Sequence, residues 1–141
     1  MELTSRQKRR AMIRWLWIVP TAILVWYAML ALGLALDSLA TKFCPADALI
    51  SGFCIASWFH DVERGIMIGC AGLTALAIVV VSAIIAPAYR MRAAAVMFAA
   101  GVAVAVSMVA QTHAYPEFSA AVVGGLIGIF VASRLKQSIE L

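Results

Sequence analysis

Four stretches of this chain, 13–36, 66–88, 93–112 and 118–133, are apolar nearly throughout, and Arg14 at the edge of the first is the one charged residue in any of them. About 20 such residues make a helix long enough to cross ~30 Å of hydrocarbon. With 65% hydrophobic and 13% charged residues, the remainder cannot supply a polar surface for a globule in water. The pattern predicts an all-α integral membrane protein: an antiparallel bundle of four transmembrane helices over those ranges, forming a single domain 1–141 with a long connection over 37–65.

Charge then orients the chain. Asp37, Asp47, Asp61, Glu63 and Glu117 fall in alternate gaps, whereas Arg6, Lys8, Arg9, Arg10, Arg14, Arg90, Arg92, Arg134 and Lys136 fall at the N-terminus, in the remaining gap and in the tail. Lys42 and Arg64 are the exceptions. The positive-inside bias makes the basic side cytoplasmic, with both termini there. The formal charge of +4 therefore separates into +7 on the basic side, nine cations less Glu2 and Glu140, and −3 on the other, Lys42 and Arg64 less five acids. Arg9, Arg10, Arg14, Arg90, Arg92, Arg134 and Lys136 read as topology anchors facing anionic lipid head groups, and nucleic acid is not an expected partner. A bacterial-type inner membrane is the expected location. The basic start resembles a secretory signal, but its apolar run continues to Leu36, beyond the roughly 7 to 15 residues of a signal core.

The connection 37–65 is the longest, and it is too rich in Phe43, Leu49, Ile50, Phe53, Ile55, Trp58 and Phe59 to stay solvated and disordered. Pro45, Leu49, Ile50, Phe53 and Ser57 have helical spacing, with Asp47 near the start, which predicts a short interfacial helix whose apolar residues rest on the bundle. Elsewhere the connections are tight: Arg90 and Arg92 mark one turn, and His113, Tyr115, Pro116 and Glu117 mark another, so helices two, three and four should form a compact up-down unit. Tyr115 and Trp58 suit a membrane interface. Pro20 is placed to bend the bulky first helix, and Pro87 to end the second.

Chemistry-bearing residues are few. Cys44 and Cys54, ten positions apart on the side expected to be oxidising, read as a structural disulfide, the rival being two buried thiols. Cys70 reads as packing. His60 and His113 with Asp61 or Glu117 are a candidate metal or haem site if they converge, against the plainer reading of two interfacial imidazoles. A four-helix membrane protein with external cysteines invites comparison with the quinone-linked thiol oxidases, but that family uses two external pairs. Here there is one pair, without C-x-x-C spacing.

The spans lack an internal ionisable group, which argues against a proton or ion path through a single copy. No nucleophile with its base, phosphate loop or paired carboxylates is visible, so no cofactor and no enzymatic role is implied. What the spans do carry is small residues at packing intervals: Gly124 and Gly128, Gly65 and Gly69, and Ala95, Ala99 and Ala103. These let helices approach closely, either within the bundle or against a partner. The leading expectation is a non-catalytic accessory or scaffold subunit of a larger membrane complex, touching lipid and other integral membrane subunits. An outer-face metal, haem or thiol protein and a homo-oligomeric transporter or channel are the alternatives.

Overall fold

The computed structural model describes residues 16–86 and 90–139, with the side chains of 135–139 excepted. Arg9, Arg10 and Arg14, the beginning of the first span, Pro87 and the Lys136 side chain lie outside the described residues. Helices α1 (Ile18–Thr41), α2 (Phe59–Ile85), α3 (Arg90–Thr112) and α4 (Tyr115–Ile139) account for nearly all of the described chain. Each contains a segment long and apolar enough to cross a membrane. This is a multi-pass membrane protein built as a four-helix bundle.

Every helix outruns its apolar stretch. α1 continues past Leu36 to Thr41, with the Ser38 and Thr41 hydroxyls donating back to the carbonyls of Leu34 and Asp37. α2 starts seven positions before Ile66 and takes His60, Asp61, Glu63 and Arg64 into its first two turns, where Asp61 meets the helix dipole favourably. α4 starts at Tyr115, so Pro116 and Glu117 lie inside its first turn. A proline there gives up an N–H with no helical acceptor. α2 ends at Ala86, whose ψ of 122° is the extended conformation forced on a residue preceding proline. Pro20 falls in the first turn of α1 as described, where its missing N–H costs least.

The long connection therefore shrinks to 42–58, and the interfacial helix expected from Pro45 to Ser57 is replaced. Only Ala46–Ala48 forms a 3-10 turn, and strands β1 (Leu49–Ile50) and β2 (Phe53–Cys54) pair antiparallel with Leu49 opposite Cys54 and Ile50 opposite Phe53. The reason is local: Ser51 and Gly52 adopt φ of 51° and 85°, the left-handed pair that closes a two-residue hairpin. Ile55 N–H donates to Ala48 O at 2.9 Å and extends the ladder. The expectation that the loop's apolar side chains rest on the helices also fails, because Phe43, Phe53 and Ile55 are 74%, 77% and 63% exposed. A hairpin points alternate side chains to opposite faces, so one bundle end cannot cover both.

Packing centres on α2 and α4, which make the most extensive helix contact in the bundle and run parallel to one another. Had Gly124 a Cβ, it would collide with the backbone of Gly72, and one at Gly128 would lie 3.0 Å from Val79 Cβ and 3.1 Å from Leu76 O. The Gly124 and Gly128 pair is thus occupied by the chain's own α2. α3, antiparallel to both, joins through Ala94 and Phe98, whose ring closes on Gly125. α1 packs chiefly on α2, with Gly33 beside Cys70 Sγ, and its Ile18 meets Ala86 and Ala93 at the basic end. Nearly all fully buried residues, Val79, Ser82, Ala83, Ala86, Ala93, Ala94 and Ala132 among them, gather toward that end. The compact two-three-four unit expected from short turns is therefore dominated by the two helices that are not consecutive.

Overpacking of this kind costs ~1 to 3 kcal/mol. Gly124→Ala is predicted to lower the stability of the detergent-solubilised protein by at least about that much, whereas Gly65→Ala, with nothing within 4 Å of its position, leaves it unchanged or slightly raised. Chemical unfolding followed by tryptophan fluorescence reads both, and equal midpoints for Gly124→Ala and wild type would contradict the packing described.

Candidate functional site

A cleft of about 660 Å³ runs along the bundle, and all four helices help to line it. Ala22, Ile23 and Trp26 of α1, Gly101, Val104, Ala105 and Met108 of α3, and Ala71, Ala75, Ala121 and Val122 of α2 and α4 line it. Its polar groups are Thr74, Thr112 and Glu117. Both threonine hydroxyls are already engaged, Thr74 donating to Cys70 O at 2.6 Å and Thr112 to Met108 O at 2.9 Å. Side chains that bond to their own helix in this way are satisfied within the membrane and need no ligand. Glu117 differs: it is the sole charged residue on the cleft wall, half-buried, and it has no hydrogen bond or ion pair among the described residues.

Glu117 owes its place to the two-residue link His113–Ala114. His113 takes a φ of 56°, a left-handed helix end, with its N–H bonded to Val109 O at 2.9 Å and its carbonyl accepting from Tyr115 N–H at 2.9 Å. That reversal starts α4 at once, so Thr112 and Glu117, on either side of the link, both line the cleft. The charge also sits in the first turn of α4, where the helix dipole attracts an anion.

The other candidate residues are dispersed. His60, Asp61 and His113 are exposed, and no group of three or more His, Cys, Asp and Glu able to hold a metal ion forms among the described residues. The metal-site constellation of His60, His113, Asp61 and Glu117 is therefore not assembled. The His113 ring instead neighbours Tyr115, with centroids 6.3 Å apart. Asp37, which lies inside α1, holds one buried carboxylate oxygen without a hydrogen-bond partner.

Cys44 and Cys54 stand at disulfide-bonding distance, with Cα atoms 5.9 Å apart, and the bond ties the end of α1 to β2. Cys70 is a free thiol packed between α1 and α2. Of the small-residue stripes, Gly65 and Gly69 are uncovered, and Ala95, Ala99 and Ala103 lie on the face of α3 turned away from the bundle and the cleft. Arg90 is half-buried and Arg92 and Arg134 are exposed at the basic end, where the Arg134 guanidinium stacks over Phe130 at 5.1 Å.

The sequence reading missed Gly72 and the cleft. Gly72 lies three positions after Gly69 and seven after Gly65, so it belongs to the same stripe, and only the crossing geometry separates the covered member from the open ones. No family model, curated protein or solved structure matches the chain.

Alkylation of the solubilised protein without reductant should modify Cys70 alone, and all three cysteines should react after reduction. Removing the bond by Cys44→Ser with Cys54→Ser should cost ~2 to 3 kcal/mol, the value expected for a closed loop of this size. Labelling of Cys44 or Cys54 in freshly isolated membranes without reductant would contradict the bond.

Proposed function

We propose that the protein is a non-catalytic accessory or scaffold subunit of a larger membrane complex, oriented in a bacterial inner membrane with the basic end and both termini cytoplasmic. The observation that carries this reading is the outward alanine face of α3. Ala95, Ala99 and Ala103 succeed one another at four-residue intervals, all exposed, with Arg92 at one end and Ser107 at the other. In lipid, where apolar surface gains nothing by leaving its surroundings, such a stripe favours close backbone approach by another helix. Gly124 and Gly128 are engaged inside the bundle, which leaves the alanine stripe of α3 among the small-residue faces the spacing offered to a partner. The basic end supports the orientation by charge alone: Arg90, Arg92 and Arg134 cluster there, opposite Asp61, Glu63 and Glu117.

Purified from native membranes in mild detergent, the protein should travel with a larger integral membrane partner. Ala99→Leu with Ala103→Leu should release that partner while leaving thermal stability within about 0.5 kcal/mol, as for other exposed substitutions. Leu24→Ala, on an exposed part of α1 away from this face, should retain it. Isolation of a lone monomer under the same conditions, or full retention of the partner by the double leucine variant, would contradict the reading.

A further inference from the structure

The cleft and its lone carboxylate describe a ligand by their chemistry. Its volume of about 660 Å³ lies within the ~300 to 1,000 Å³ typical of small-molecule sites. Its walls are almost wholly apolar, with Val104, Met108 and Val122 among the aliphatic side chains and Trp26, Phe98 and Phe118 among the aromatic ones. Such a surface takes an alkyl chain and offers nothing to a polar solute. At one end stands Glu117, without a cationic partner among the described residues, and the two cations of that end, Lys42 and Arg64, are both exposed and make no ion pair with it. Glu117 is half-buried at the acidic end of this apolar wall, where a cation set against it would make a charge-assisted contact. A molecule that supplies both parts satisfies both halves of the site. We propose that the cleft binds a single-chain amphiphile with a cationic head group, an alkylammonium, whose nitrogen lies against Glu117 and whose chain runs between α1 and α3 toward Trp26. The site is independent of the partner surface proposed above, because Ala95, Ala99 and Ala103 occupy the opposite side of α3.

The full-length protein in nanodiscs of an uncharged glycolipid, titrated calorimetrically with dodecyltrimethylammonium and corrected against empty discs, tests this. Saturable binding at one site per chain is expected. Replacing a charge-assisted contact by a neutral one should weaken that binding about tenfold or more in Glu117→Gln, while Glu117→Asp keeps most of it. Ala105→Phe, which places a ring inside the cleft, should abolish binding without touching the carboxylate. Dodecyl sulfate and dodecyl maltoside, equal in chain and different in head group, should bind at least about tenfold more weakly than the ammonium. Equal binding of all three amphiphiles would overturn the proposal and make the cleft a seat for any acyl chain. Equal binding of the ammonium by wild type and Glu117→Gln, or undiminished binding by Ala105→Phe, would overturn it as well. So would exclusion of the ammonium from wild type by a tightly held partner helix. None of these outcomes bears on whether a partner rides on the alanine face.

Discussion

The backbone contact of Gly72 with Gly124 sets the geometry on which the rest of the bundle depends. Apolar side chains gain nothing by exchanging lipid for one another, so helix association in a membrane rests on how closely and over what length two backbones can meet. Where side chains are reduced to hydrogen atoms, α2 and α4 approach until carbonyl and Cα groups touch, and Gly128 continues the contact against Val79. The bundle is also ordered along its length: Ala83, Ala86, Ala93, Ala94 and Ala132 are buried toward the basic end, while the cleft runs from Trp26 and Ile78 to Glu117 at the acidic end.

Two surfaces follow from that arrangement, and they are of different kinds. One is the exposed alanine face of α3, suited to another helix. The other is a cleft with a single carboxylate at the end of an apolar wall. The disulfide-closed hairpin sits above both, its phenylalanines uncovered at the interface end of the molecule. The α2–α4 contact leaves α1 and α3 as flanking helices, which meet where Ile18 packs with Ala93 at the basic end.

How much of this was legible in the sequence depended on which physical rule each residue obeyed. The number of helices and the C-terminal limit of α3 at Thr112 follow from apolar length. The remaining ends do not, because hydropathy reports the hydrocarbon slab whereas helices continue through it: Asp37, Asp61 and Glu117 are hydrophilic and still helical. The hairpin was readable in principle, since Ser51–Gly52 between Leu49–Ile50 and Phe53–Cys54 is turn chemistry between short apolar runs, but the coincident helical spacing of Leu49, Ile50 and Phe53 outweighed it. The pairing of Cys44 with Cys54 was legible from spacing. The choice between Gly65, Gly69 and Gly72 as the packing glycine was not, because one stripe serves three positions and only the crossing point distinguishes them.

The most direct test of the account is a cysteine pair at its central contact. An ideal Cβ at Gly72 lies 3.8 Å from Ala120 Cβ, the separation typical of disulfides. With Cys70→Ser as background, Gly72→Cys and Ala120→Cys should cross-link under mild oxidation in native membranes, as a linked peptide pair found by mass spectrometry. The same experiment with Leu73→Cys, whose side chain is exposed, in place of Gly72→Cys should give no link to position 120. Linkage through position 73 and not through 72 would mean that α2 presents another face to α4, and the cleft and the open face of α3 would fall with it.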